Sequence, residues 1–391
     1  MSKLIKEAEQ NNKKLFLQFG GQGSPYLKEI SKLYKEEVLL KEFFETVFQS
    51  LSRQESTFTK SDKRFEQGYD LKSWMENPDS APSEDYQARA SVSVVMIFVT
   101  QIAHYHLATL KGYDPSILAN FVGGSTGHSQ GVIAATLAGL SLSGKAFYEA
   151  LSNYIDYMFY LAFHAQGGFM EFEYSKEVID GNLAIGDKNP APMVAVIGYT
   201  KDELEERVSR ANKELGFSGQ DLLHISLYNT PESMIISARP SSLLKFREKF
   251  KQEMDETKRK FVYLKTSAPF HSPFMDHTWA GFSNDWKSGK FSFPYQSSDL
   301  KFPVYSIFDG EDYRKKSVEL GEAIYKDVVI RPLYWDKAVS TLFTDTSFLA
   351  VLDFGPSSVT SKLTSGQLTP RNITTPVYCA AVPKDLKNIF E

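Results

Sequence analysis

Two glycine-rich stretches and one histidine loop hold the residues that could do chemistry. Gly127-His128-Ser129-Gln130-Gly131 sets a serine between two glycines at the spacing of a nucleophile elbow. Such a turn holds the side chain exposed at the start of a helix, whose N-terminus favours developing negative charge. A serine nucleophile needs a base. His271, in Ala268-Pro269-Phe270-His271-Ser272-Pro273, is the candidate; His128 adjoins Ser129, so its ring points elsewhere, to pack or hydrogen-bond beneath the elbow. Acyl transfer also needs two donors for an oxyanion. The Gln130 amide is one, and the turn Gly20-Gly21-Gln22-Gly23-Ser24 offers the Gln22 amide as the other. Each piece has a plain alternative: a glycine-rich turn for either stretch, and a surface loop histidine for His271.

The elements that must position these residues follow from patterning. Leu15-Phe16-Leu17-Gln18-Phe19 reads as a buried strand feeding the first glycine turn. A helix is expected around 26–34, loops and short helices over 52–87, and one apolar core helix over 86–110. A second strand over 121–126 runs into the elbow and the helix 132–139, and a further helix covers 145–165. The middle of the chain changes character. Strands at 193–197, 222–228, 234–237 and 261–265 alternate with helices at 201–215 and 241–254, the β-α-β-β-α-β order of a ferredoxin-like unit. The expected division is therefore a core of 1–190 and 267–391 with a subdomain of 191–266 inserted. Strands at 348–354 and 377–381 complete an α/β-hydrolase-like core with a largely parallel sheet.

Composition removes other classes. Lys plus Arg is 44 against 48 Asp plus Glu, a net charge of -4, which gives no reason to expect nucleic acid. Cys379 is the only cysteine, so an intrachain disulfide is impossible. The seven histidines have no zinc spacing; His104 and His106 lie two apart in a helical run and face different sides. No metal is expected. The stretch 92–110 is interrupted by Thr100, Gln101, His104 and His106 and reads as too polar for a bilayer. The N-terminus has no signal-peptide core, so a cytoplasmic protein is the expectation.

Taken together, FGGQGS at 19–24, TGHSQG at 126–131 and APFHS at 268–272 resemble the malonyl/acetyl-CoA:acyl-carrier-protein transacylase family. The likeness is closer to the acetyltransferase domain of the β subunit of fungal-type fatty acid synthase. It extends through WMENPDSAPSEDY at 74–86, QIAHYH at 101–106, PVYSIFDGEDYR at 303–314, RPLYW at 331–335 and LDFGP at 352–356. The resemblance implies Ser129 as nucleophile, His271 as base, the Gln22 and Gln130 amides as oxyanion donors, and Asn229 near the site entrance. It also implies that a backbone carbonyl of the RPLYW segment, from Tyr334, orients His271. Asp353 or Asp276 as a third acid is the lesser expectation.

One departure bears on substrate. Malonyl-transferring members carry an arginine on the helix after the elbow, a natural partner for a free carboxylate. Here that helix holds none, and Leu161 aligns with the arginine. A buried carboxylate facing Leu161 would lack a partner, so an uncharged acyl group is expected, with Phe270 as another pocket wall; His164 is the one residue there that could take a carboxylate. The implied reaction moves the acyl group from acyl-CoA to the phosphopantetheine of an acyl carrier protein, beside other fatty acid or polyketide synthase components, with no resident cofactor. The alternatives are a malonyl-CoA:ACP transacylase, a thioesterase or esterase, and a non-catalytic module that docks a carrier protein.

Overall fold

The computed structural model describes residues 1–187 and 189–390; Lys188 and Glu391, which the division above places in the core unit, lie outside them. The described strands are β1 (Lys14–Phe19), β2 (Val122–Gly127), β3 (Met193–Ile197), β4 (His224–Thr230), β5 (Ser233–Ser237), β6 (Lys260–Tyr263), β7 (Leu333–Tyr334), β8 (Phe348–Asp353) and β9 (Val377–Cys379). They form two sheets, in the orders β2-β1-β8-β9 and β6-β3-β5-β4-β7.

The first sheet is parallel throughout. Both of its faces are covered, which is why β1 and β8 read as continuous apolar runs rather than alternating ones. β2, with the sequence VGGSTG, has little strand propensity of its own. It is held by register with β1, where Phe19 pairs with Gly127, and by bonds from the Ser125 amide to the Pro303 carbonyl (2.9 Å) and from the Thr126 hydroxyl to the Tyr305 carbonyl (2.8 Å). Against the sheet packs the helix Ala90–Leu110, with Tyr105 on Phe19 and Phe354, buried at every residue from Ala90 to Ala108. That helix is long and apolar enough to cross a bilayer, but here the protein interior takes the place of lipid. The expected single helix over 86–110 is two, Glu84–Ala88 and Ala90–Leu110, because Arg89 between them is extended (φ -57°, ψ 140°).

The second sheet is antiparallel across β6, β3, β5 and β4, with the helices Lys201–Glu214 and Pro240–Glu256 in the β-α-β-β-α-β order. Its side chains alternate with the period of a strand. Val194, Val196, Met234 and Ile236 join a small core of their own with Leu204, Leu243 and Phe246. Met193, Leu227 and Ile235 point the other way and belong to the main core. β7, from the RPLYW segment, adds to β4 in parallel, pairing Leu333 with Leu227 and Tyr334 with Tyr228. A strand from the chain after residue 267 thus extends the sheet of the inserted unit, and the two units share an apolar seam. The mixed α/β architecture, with a hydrolase-like parallel core and a ferredoxin-like subdomain, is the one expected from the sequence.

Candidate active site

Ser129 stands at the junction of β2 and the helix Gly131–Gly139. Its backbone is left-handed (φ 53°), a costly conformation for a non-glycine residue. The flanking glycines make the turn possible: a Cβ on Gly127 would overlap the carbonyl of Gly131, and one on Gly131 would overlap the carbonyl oxygens of Phe19 and Gly20. Bonds from the His128 amide to the Phe19 carbonyl (2.8 Å) and from the Gly131 amide to the His128 carbonyl (2.9 Å) lock it.

The histidine loop presents its ring to this serine. The Ser129 Oγ lies 2.8 Å from His271 Nε2. His271 Nδ1 is 2.9 Å from the carbonyl oxygen of Arg331. A carbonyl only accepts, so Nδ1 carries the proton and donates it there, leaving the Nε2 lone pair for the serine hydroxyl. His271 is itself left-handed (φ 58°), and its amide donates to the Val329 carbonyl at 2.9 Å. The π-helical turn Lys326–Ile330 just before Arg331 shapes this support. Burial pushes the His271 pKa down to about 4; the Arg331 carbonyl opposes that shift and the neighbouring His128 adds to it. The ring is neutral at pH 7, the state a base requires.

The orienting carbonyl is that of Arg331, not of Tyr334. Tyr334 sits in β7, with its amide on the Ile307 carbonyl (2.7 Å) and its ring stacked on Tyr228. Among the described residues neither aspartate considered as a third acid bonds to His271. Asp353 is fully buried and accepts from Gln18 Nε2 (3.0 Å), Ser361 Oγ (2.5 Å) and the Gly355 amide (2.9 Å). Asp276, in the turn after Pro273–Met275, is exposed.

The side chains of Gln22 and Gln130 are tied away from the serine by one core helix. Gln22 Nε2 donates to Ser93 Oγ (2.6 Å) and Gln130 Nε2 to the Val94 carbonyl (2.9 Å). Among the described residues the amides of Gln22 and Gln130 donate to no protein acceptor. Two N–H groups flanking a nucleophile with no internal partner suit a developing oxyanion.

These groups open on a cavity of about 210 Å³, lined by Gln22, His128, Ser129, Asn229, Phe270 and His271 with an apolar wall of Met193, Leu227, Ile235, Leu264 and Leu363. Asn229, near the end of β4, is buried and lines the cavity. Its Oδ1 lies 2.8 Å from His128 Nε2, and Gln367 Nε2 donates to its carbonyl at 2.9 Å. Burial lowers the His128 pKa to about 4, and the neutral ring donates a hydrogen bond from Nε2–H to Asn229 Oδ1. This pair was missed in the sequence, where His128 had no visible partner. Leu161 is not at the cavity; it is fully buried in the main core, on the helix Gly144–Gly168. His164 is bound to Asp285 (2.8 Å) and is not free for a substrate carboxylate. No cluster of three or more His, Cys, Asp or Glu able to hold a metal occurs among the described residues.

A parallel sheet bearing a serine elbow, capped by a ferredoxin-like unit, defines an acyltransferase fold. The crystal structure of MCAT from Streptococcus pneumoniae superposes with a TM-score of 0.67 at 17% identity, covering 96% of this chain and 99% of that one. The chain belongs to the family described as "SAT: Starter unit:ACP transacylase in aflatoxin biosynthesis", whose model matches residues 17–271, more than half of its length. It is 29% identical to fatty acid synthase subunit beta of Saccharomyces cerevisiae over 95% of its own length, and 26% identical to fatty acid synthase beta subunit TOXC of Cochliobolus carbonum over 94%. It spans 18% of the length of each of these relatives.

Proposed function

We propose that this chain transfers an uncharged acyl group from CoA to an acyl carrier protein through an acyl-Ser129 intermediate. The observation that carries the reading is the Ser129 Oγ to His271 Nε2 contact of 2.8 Å, with the opposite ring nitrogen fixed on the Arg331 carbonyl. His271 takes the hydroxyl proton as Ser129 Oγ attacks the thioester carbon. The carbonyl oxygen gains negative charge beside the Gln22 and Gln130 amides. Collapse breaks the C–S bond, and the CoA thiolate leaves with the proton from His271 Nε2. In the second half the phosphopantetheine thiol gives its proton to His271, and its sulfur attacks the acyl-serine. Collapse frees Ser129 Oγ, which recovers the proton. Every proton stays on the Ser129–His271 pair or the two thiols.

The lining supports an uncharged group. The cavity holds no arginine, and its one lysine, Lys265, is exposed and paired with Glu84 at 2.9 Å. A malonyl carboxylate reaching past it would meet Met193, Leu227, Ile235 and Phe270, with no partner to offset its desolvation. The family description supports a starter unit as the acyl group and an acyl carrier protein as the partner. The likeness to fatty acid synthase β subunits supports other synthase components as neighbours.

Intact-mass and peptide analysis after mixing with acetyl-CoA or malonyl-CoA tests this directly. The expected result is acetyl added at Ser129, discharged by holo carrier protein, with little malonyl added. Equal labelling of Ser129→Ala removes the mechanism, and malonyl outpacing acetyl removes the specificity. Discharge by water as fast as by carrier would favour a thioesterase.

A further inference from the structure

A second cavity, of about 560 Å³, lies on the other side of the oxyanion turn. Gly23, Ser24 and Lys265 line both it and the Ser129 cavity, so one short stretch of chain separates them. Its volume is in the range of small-molecule sites. Leu27, Pro78, Ala88 and Ile97, over the buried Tyr26 and Trp74, give it an apolar floor. Its rim is cationic. Lys28, Lys32 and Lys35 fall at i, i+4 and i+7 on the helix Leu27–Glu36 and so share a face. With Lys265, four lysines face two glutamates, Glu36 and Glu84, in a chain whose net charge is -4. Lys32 and Lys265 have those glutamates as partners, whereas Lys28 and Lys35 make no ion pair among the described residues.

The geometry points to this cavity as the site of the nucleotide end of the acyl-CoA, with the adenine against the apolar floor and the phosphates on the lysine rim. The assignment rests on the function proposed above. A CoA thioester is reactive at one end and carries its phosphates at the other. With its carbonyl at the Gln22 amide, the substrate crosses Gly23 and Ser24 to reach the second cavity. The floor suits a flat base and the unpaired lysines suit phosphates, whereas the Ser129 cavity offers phosphate only Lys265. The rim is exposed, so its attraction weakens with salt.

The test compares acetyl-CoA with S-acetylpantetheine, which has the same thioester and no nucleotide, in the full chain and in Lys28→Glu/Lys35→Glu. The expected result is that the KM advantage of acetyl-CoA over S-acetylpantetheine shrinks by about tenfold in the variant, the size of losing one or two charged contacts. Raising the salt concentration should shrink it in the wild type. Adenosine 3′,5′-bisphosphate should bind the wild type by calorimetry, compete with acetyl-CoA, and bind the variant more weakly. An unchanged advantage with unchanged bisphosphate binding overturns the assignment. So does a rise in KM confined to the carrier protein, which would make the lysine stripe a dock for an acidic protein. If neither thioester reacts in the wild type, the proposed function fails, and bisphosphate binding still decides whether the cavity takes a nucleotide.

Discussion

The two sheets contribute to one cavity in different ways. The parallel sheet carries the candidate catalytic groups through backbone shape: β2 ends in the strained elbow at Ser129, β1 runs into the turn at Gln22, and one core helix ties both glutamine side chains. The antiparallel sheet supplies the walls through side chains, with Met193, Leu227 and Ile235 on its cavity-facing side and Asn229 holding His128. His271 lies between them, just beyond the inserted unit, and takes its orientation from Arg331, two residues before β7. On the proposed function, reaction type would be set by rigid turns on one sheet, and acyl size by replaceable side chains on the other. Damage to the first should abolish turnover, and damage to the second should shift selectivity or stability.

The sharpest way to break that division is Ser129→Ala. Turnover should fall by about 10⁴-fold or more while the urea midpoint stays near that of the wild type. His271→Ala should cost about 10²- to 10⁴-fold in kcat and slow acyl-serine formation to match in a rapid-quench assay. On the other sheet, Leu227→Ala should leave the acyl-enzyme able to form. It should favour longer acyl-CoAs over acetyl-CoA by about tenfold in kcat/KM and lower stability by about 2–5 kcal/mol. A loss of all turnover there would erase the distinction between the sheets. Asn229→Ala leaves the buried His128 Nε2–H without its acceptor, so urea unfolding should show a loss of about 1–3 kcal/mol.

The smallest effect is in the pH profile. In the proposed mechanism His271 must be neutral to act, and burial lowers its pKa from the ordinary 6.5 to about 4. Activity should therefore hold as pH falls through 6.5 and decline only as it approaches 4. Stability follows the same sign. The unfolded chain binds the His271 proton near pH 6.5 and the folded chain near 4, so the folded state loses its advantage as pH falls across that window. An acid limb in kcat/KM at 6.5 would mean that the base is another group or a more solvated ring.

The sequence by itself determined the parts that depend on neighbours along the chain. The glycines around Ser129 and the turn at Gln22 can be read because a tight turn needs small residues within a few positions. The two-residue and helical periods of 193–263 likewise state a β-α-β-β-α-β unit locally. Where the sequence reading failed, the partner was remote. Leu161 was assigned to the cavity by alignment along a helix, but helix packing, not spacing, sets which side faces the site, and that side is core. Tyr334 was assigned the carbonyl that belongs to Arg331, because a π turn and a two-residue strand shift that segment. The bond between His128 and Asn229 joins two units and left no trace in composition or period. Only the tertiary structure decided these, since hydrogen bonds and packing contacts are fixed by distance in space, and the folded chain brings together side chains that its sequence keeps far apart.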